Sequence, residues 1–337
     1  MRVALDRLHG EIARLFQDVG LSPGHADDVA TVLLDAEVEG QSGHGLGRVR
    51  MYRRQVEAGG LNPEPELRWA WPREAMGILH ADRALGPVAG LRALEELMAA
   101  TSHQGQASVA VRNAGHMGAL SAYVGRLADH GFLGLAMANT PSAMAPWGGA
   151  GQVLGTNPIA FAAPIDEGHS PLVIDLSLSV AARGKIFQAQ SQQTDIPEGW
   201  AIDAEGQPTT DPDRALAGSL LPIGEAKGYA LALMVEVLAG VMAGNALSAE
   251  LPKPWEDPSS PSTPGLWLMA LDPGATDHGG YAARMRQLVD EIERHGGRLP
   301  GARRREMRQQ AERDGIELSP QRRHELAALG MALDEGP

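Results

Sequence analysis

Between residues 77 and 138, short apolar runs of strand length alternate with stretches of helical length. This alternation restricts the chain to a mixed α/β architecture. Gly77-Ile78-Leu79 precedes a predicted helix over 89–100, and ASVAV at 107–111 precedes a second over 119–130. FLGLAMA at 132–138 closes the series, and LVIDL at 172–176 and LWLMAL at 266–271 add two further strands. Both ends read as helical. Leu8, Ile12, Leu15, Phe16 and Val19 fall on one helical stripe. Ser22-Pro23 then supplies a cap and a first-turn proline for a second helix, with Val29, Val32, Leu33 and Ala36 inward. A helical continuation over 52–56 stops at Gly59-Gly60. Charged helices are predicted over 282–295, 302–314 and 320–332, and there is no internal repeat. The chain thus divides into an N-terminal helical segment (1–75), an α/β core (76–250) and a C-terminal strand with helices (251–337). The two helical ends are expected to pack together.

Composition narrows the possible partners. A net charge of −13 over 337 residues disfavours nucleic acid or an anionic membrane, both of which require a basic surface. The chain has no cysteine, which removes disulfides, zinc-thiolate sites and cysteine nucleophiles. The most apolar run, YALALMVEVLAGVM at 229–242, is too short for a bilayer and carries Glu236, so it is expected as a buried helix. The N-terminal MRVALDRLHGEIARLF lacks the apolar centre of a signal peptide, and the expectation is a cytoplasmic protein.

The chemistry-bearing residues lie in loops. EVEGQSGHGLGRVR at 37–50 places His44 between Gly43 and Gly45, with Arg48 one helical turn on. An imidazole beside a guanidinium suits a site that holds a carboxylate while a proton moves; a glycine-rich turn with a solvent-facing histidine is the plainer reading. Further polar loops follow: RNAGHMG at 112–118 after the ASVAV strand, a Gly-, Pro-, Asn- and Ser-rich stretch over 139–164 read as loop, VIDLSLSVAARGK at 173–185, GEAKG at 224–228 and RLPGARRR at 298–305. Taken singly, each has an ordinary alternative: a cap, an Asn-Pro turn, or a solvated helix face. No G-x-G-x-x-G follows a strand, and G-x-x-x-x-G-K-[ST], H-E-x-x-H and G-x-S-x-G are all missing. Rossmann and P-loop nucleotide sites are therefore not signalled, and no metal site is expected.

In their order and spacing these loops resemble the malate/L-lactate dehydrogenase family of NAD(P)-dependent oxidoreductases, which is distinct from the Rossmann-fold enzymes of similar name. The resemblance runs from the opening helices to RLPGARRR and GIELSP. Its members include ureidoglycolate and sulfolactate dehydrogenases, diketogulonate reductase and piperideine-2-carboxylate reductase. It implies that family's α/β fold, NAD or NADP as cofactor, a small carboxylate substrate and a homodimer. By position, His44 matches the proton donor, Arg48 the group that binds the substrate carboxylate, and Thr156 a further substrate contact. His116, Met117, Gly118, Ala119 and Leu120 resemble a cofactor-binding segment, with His116 also serving acid–base chemistry in some members. Ile174, Asp175, Leu176, Ser177 and Ser179, then Lys227 and Gly228, then Pro300, Gly301, Arg303, Arg304 and Arg305 match the remaining cofactor contacts.

Two departures bear on function. The family's Ser-His-Gly is here Gly43-His44-Gly45, with Ser42 one place earlier, so a serine relay to His44 is either rebuilt from Ser42 or missing. Cyclic-imino-acid reductases carry an Asp a few residues past the ARG motif; this chain reads IFQAQSQQTD, with Gln190 and Ser191 there and Asp195 later. The leading expectation is interconversion of a small 2-hydroxy acid and its 2-oxo acid. Reduction of a cyclic imino acid is the alternative, and a catalytically impaired relative is a third reading.

Overall fold

The computed structural model describes residues 2–276 and 279–333. A short strand, β1 (Arg2–Val3), leads into α1 (Leu5–Gln17) and α2 (Pro23–Val38). The second helix starts as the sequence predicts, with the Ser22 hydroxyl accepting the His25 N–H and Pro23 in the first turn. A 3₁₀ turn (Leu46–Arg48) then feeds α3 (Val49–Glu57).

Next come β2 (Arg68–Arg73), β3 (Met76–Ala84), α4 (Gly86–Gln104), β4 (Gln106–Ala114), α5 (Ser121–Asp129), β5 (Leu133–Ala138), β6 (Ile159–Ala163) and β7 (Leu172–Leu176). Beyond them lie α6 (Arg183–Gln192), β8 (Ala201–Ile202), β9 (Pro208–Thr209), α7 (Pro212–Ala217), β10 (Ser219–Leu220) and α8 (Ala226–Val235). The chain ends with β11 (Leu266–Leu271), α9 (Tyr281–Arg294), α10 (Ala302–Asp314), β12 (Ile316–Glu317) and α11 (Pro320–Ala327). A seven-stranded sheet runs β2-β3-β4-β11-β5-β6-β7, and only β3 and β4 are parallel neighbours. It draws strands from all three stretches of the predicted division. β8 to β10 form a separate three-stranded sheet.

Helices α4 and α5 cover one face of the sheet, where Leu79, Val109, Leu127, Leu266 and Leu268 are wholly buried. A second core joins α1, α2 and α3 to the far C-terminus through Leu326, Met331 and Leu333. The third lies around Met144, Leu154, Leu178 and the inner side of α8.

Two expectations need correction. The 139–164 stretch is not all loop: β6 lies within it, pairing with β5 and β7, and Ala160 and Ala162 are fully buried. Small side chains make this strand weakly apolar, so Gly and Pro dominate the signal. The 229–242 run is helical, its second half a π-helix over Glu236–Met242, but it is not a buried helix. Ala232, Val235, Glu236 and Ala239 face inward, while Leu233, Met234, Val237, Val241 and Met242 are exposed.

Leu268 lies at the centre of β11, fully buried, whereas Leu288 on α9 is 51% exposed. In urea unfolding, Leu268→Ala is expected to cost about 2–5 kcal/mol. Leu288→Ala is expected to stay within about 0.5 kcal/mol of the parent.

Candidate active site

The turn that carries His44 is held from behind by Glu37, in the last turn of α2. Its carboxylate accepts the Leu46 N–H (2.9 Å) and the Ser42 hydroxyl (3.0 Å). Gly45 packs so closely that a Cβ there would lie 2.5 Å from Glu37 Oε2, and only glycine fits. Gly43 differs: a Cβ at that position meets nothing within 4 Å. Ser42 is engaged by Glu37 and no hydrogen bond joins it to His44, so it does not rebuild the serine relay. Arg48 closes the turn by donating from Nε to the Gly43 carbonyl (2.7 Å).

His44 and His116 come together across the fold. Their rings stack with centroids 5.6 Å apart and planes within 19°. The His116 segment reaches this place because α4 begins at Gly86, where a Cβ would lie 2.2 Å from the His116 carbonyl oxygen. Gly118 N–H donates to His116 Nδ1 (3.2 Å). A backbone N–H only donates, so Nδ1 carries a lone pair and the neutral ring holds its proton on Nε2. The buried Tyr52 hydroxyl sits 2.7 Å from Nδ1 and 3.0 Å from the His116 carbonyl oxygen, and its single proton serves one or the other of these acceptors. Tyr52 did not emerge as a site residue from the sequence, although the spacing 44, 48, 52 places it on the same helical side. Among the described residues, neither ring nitrogen of His44 has a hydrogen-bond partner.

Among the described residues no carboxylate is hydrogen-bonded to the side chain of His44, Arg48 or His116. Burial, then the charges of Arg48 and Arg304, push the His44 imidazole down to about 3. Burial, Arg48 and His44 hold His116 well below its ordinary range. Burial also lowers Arg48, whose hydrogen bonds go to the Gly43 carbonyl and weakly to Met51 sulfur. Among the described residues no carboxylate pairs with Arg48. A guanidinium edge is thus left beside two neutral imidazoles, an arrangement suited to a small carboxylate.

The other predicted segments connect to this centre by hydrogen bonds. The loop from His116 to Leu120 ends at Ser121, whose N–H donates to Asp175 Oδ2 (3.0 Å). Arg304 lies 3.9 Å from that carboxylate and donates to the Asp175 carbonyl (2.7 Å). Beyond β7, Leu178 N–H donates to the Thr156 carbonyl (2.8 Å), and Ile223 N–H to the Leu178 carbonyl (2.9 Å). This brings Ser177, Ser179 and the Lys227 turn to the Thr156 loop. Gly228 packs with its Cα against the Ile223 carbonyl, where a Cβ would lie 1.8 Å away. Arg305 donates to the Pro171 carbonyl (2.6 Å), while Arg303 stays exposed next to Pro300 and Gly301. Gln190 donates from Nε2 to the Asp213 carboxylate (2.7 Å).

These surroundings fit an anionic dinucleotide. α8 and α10 both start without a side-chain cap; the Lys227 N–H goes to the Gly224 carbonyl and the Ala302 N–H to the Leu299 carbonyl, and the other first-turn N–H groups have no side-chain partner among the described residues. Each carries an exposed cation in its first turn, Lys227 and Arg303, with no carboxylate partner among the described residues. A pyrophosphate or ribose phosphate matches such helix ends. Among the described residues no cluster of three or more His, Asp or Glu could hold a metal.

The mostly antiparallel sheet lies outside the doubly wound class, and comparison with known proteins makes the chain a nicotinamide-dependent oxidoreductase. The chain belongs to the malate/L-lactate dehydrogenase family, whose model matches residues 3–327. It is 41% identical over 289 residues to a (2R)-3-sulfolactate dehydrogenase (NADP(+)) of Chromohalobacter salexigens, covering 85% of each chain. With the ureidoglycolate dehydrogenase (NAD(+)) of Escherichia coli it shares 38% over 257 residues, 76% of this chain and 73% of that one. The crystal structure of Δ1-piperideine-2-carboxylate reductase from Pseudomonas syringae superposes with a TM-score of 0.92 at 31% identity, covering 98% of this chain and 99% of that one.

Lowered imidazole pKa values set a pH dependence. Below about pH 6.5 the unfolded chain protonates its histidines while folded His44 stays neutral down to about 3. Stability of the cofactor-free protein should therefore fall as pH drops through that window, by up to about 1.4 kcal/mol per pH unit for His44 alone. Asp28, raised to about 6 by burial, works in the opposite sense below that pH. Urea unfolding at pH 7 and pH 5 should show a smaller drop for His44→Gln than for the parent; equal drops would remove His44 as the source.

Proposed function

We propose that the protein transfers hydride between a nicotinamide cofactor and a small 2-hydroxy/2-oxo carboxylic acid. The observation that carries this reading is the Arg48 guanidinium, without a carboxylate partner among the described residues and placed beside the stacked, neutral His44 and His116. Arg48 fixes the substrate carboxylate and so aims the neighbouring carbon. Thr156 adds a contact from the loop joined to the cofactor-side segment. A bound nicotinamide supplies the hydride. With substrate bound, His44 is the assigned donor: as imidazolium it gives its proton to the new alkoxide oxygen and returns to the neutral ring, with His116 alongside. Burial holds both rings neutral and the Arg48 charge adds to it; a docked carboxylate offsets that charge, and substrate binding thereby raises their proton affinity. His116 to Leu120, Ile174 to Ser179, Lys227-Gly228 and Pro300 to Arg305 line the cofactor side.

Reduction of a cyclic imino acid is the second reading, favoured by the likeness to the piperideine-2-carboxylate reductase. It needs the same carboxylate clamp and the same proton. Two relatives differ in cofactor, NADP(+) in one and NAD(+) in the other. Arg304 is occupied by the Asp175 carbonyl in β7 and Arg305 by the Pro171 carbonyl just before it, leaving Arg303 as the one of the three available to a 2′-phosphate.

The exposed apolar side of α8 and its π-helical extension supports assembly as a homodimer, since exposed apolar patches of this kind mark contact surfaces.

Loss of reduced-nicotinamide absorbance, with NADH and NADPH in parallel, tests the reading on pyruvate, oxaloacetate, 3-sulfopyruvate, and pyrroline- and piperideine-2-carboxylate. Turnover of an open-chain acid is expected. His44→Ala and His116→Ala should each lower kcat by about 10²–10⁴-fold with cofactor affinity kept, and Arg48→Ala should raise KM steeply. Unchanged turnover in both histidine variants would sink the imidazole assignment. In sedimentation, Val237→Glu with Val241→Glu should shift a dimer to monomer; a parent that sediments as a monomer refutes assembly through this side.

A further inference from the structure

The apolar helix carries one acid that the proposed chemistry does not use. Glu236 stands at the start of the π-helical stretch and is only 5% exposed. Among the described residues no Arg or Lys pairs with it. Its carboxylate is satisfied by neutral donors: Asn157 Nδ2 (2.8 Å), Ser248 Oγ (2.5 Å), Ser248 N–H (2.7 Å) and Asn139 Nδ2 (3.3 Å). An apolar residue of like size would be easier to bury in a helix whose only task is packing. Local π geometry is itself uncommon and concentrates at functional sites.

What the acid grips is specific. Asn139 and Asn157 are both fully buried, and each adjoins a threonine, Thr140 and Thr156. Asn157 adopts φ +37°, a left-handed backbone that asparagine tolerates when its side chain is held. Its amide also donates to the Ala232 carbonyl (3.0 Å), fastening the loop to α8. Asn139 in turn accepts the Gly265 N–H (2.8 Å), fastening the end of β5 to the start of β11. The threonines then meet: Thr156 N–H donates to Thr140 Oγ1 (3.0 Å), and the two hydroxyl oxygens lie 3.4 Å apart.

We propose that Glu236 is a positioning residue that, through Asn139 and Asn157, sets the Thr140–Thr156 hydroxyl pair against the substrate. This rests on the reading of Thr156 as a substrate contact. Both threonines are fixed by backbone anchored at their neighbours, so their hydroxyls are oriented before the substrate arrives. Replacing one carboxylate oxygen by an amide NH₂ sets donor against donor and releases at least one asparagine.

The test compares Glu236→Gln, Asn157→Gly and Thr156→Val in the full chain. Three quantities are read: Tm, the Kd of NADH or NADPH, and the Kd of oxamate on the cofactor-loaded protein. Glycine keeps the left-handed backbone at 157 and removes only the amide, so Asn157→Gly decides the matter should Glu236→Gln fail to fold. Expected is a rise of about tenfold or more in the oxamate Kd for all three variants, with the cofactor Kd within about twofold. A merely structural role predicts a lower Tm with the oxamate Kd of the folded protein unchanged, and overturns the proposal. If Thr156→Val weakens oxamate while Glu236→Gln and Asn157→Gly do not, the positioning role falls and the Thr156 reading stands. If the parent binds no oxamate, or Thr156→Val is silent, both fall together.

Discussion

A single carboxylate, that of Asp175 at the end of β7, holds the active-site elements to one another. It accepts the Ser121 N–H and lies beside Arg304, which also donates to the Asp175 carbonyl. Burial pushes this carboxyl up and Arg304 pulls it down, so the charged form depends on that arginine. Ser121 closes the loop that began at His116, and its hydroxyl donates to Glu39 (3.2 Å) at the end of α2. Arg308, one turn after Arg304, bridges Glu39 (2.8 Å) and Asp35 (3.0 Å). Exposed pairs of this kind contribute little one by one, but these are partly buried and share members, so each fixes the geometry of the next. Helices from the two ends of the chain, the His116 loop and the sheet edge thereby take one register. The charge of Arg304 that anchors α10 also bears on His44.

That network leaves the catalytic pocket itself cationic. Among the described residues Arg48 has no acid partner, and the neighbouring imidazoles stay neutral through burial first and the Arg48 charge second. The arrangement is unfavourable for the empty protein and favourable once an anion arrives, which is the sense in which a binding site is preorganised. The diffuse −13 of the whole chain does not contradict this. Local charge over a few ångströms decides what binds, and the surface acidity is screened beyond about 10 Å.

Much of this was legible in the sequence, and the limits are physical. LVIDL, LWLMAL and the 302–314 helix match β7, β11 and α10 residue for residue, because continuous apolar runs and a helix bracketed by Gly301 and Gly315 leave little ambiguity. β6 and β2 were not read, the first for its alanines and the second for Trp69, Trp71 and Pro72 on an exposed edge. Two-residue strands such as β8 to β10 carry no periodicity at all. In the site, His44 and Arg48 were readable from their glycine setting and the family resemblance. Glu37, Tyr52 and Glu236 were not, because their roles exist only through space: Tyr52 meets a residue 64 positions away, Glu236 one 79 away. The lone acid in YALALMVEVLAGVM was visible in the sequence, but its partners were not.

The two imidazoles are not equivalent, and the difference bears on the place of the missing serine. His116 has its tautomer set by Gly118 and its ring braced by Tyr52. His44 has neither: Gly43 offers no hydroxyl, Ser42 is held by Glu37, and the ring nitrogens are free among the described residues. A proton donor works best when its N–H already points at the acceptor, since orientation is then not lost at the moment of reaction. On that ground the His116 ring is held ready in the free protein, while the orientation of His44, the proposed donor stacked against it, is left for the substrate to complete. The hydroxyl that does touch the pair, that of Tyr52, meets His116 and not His44.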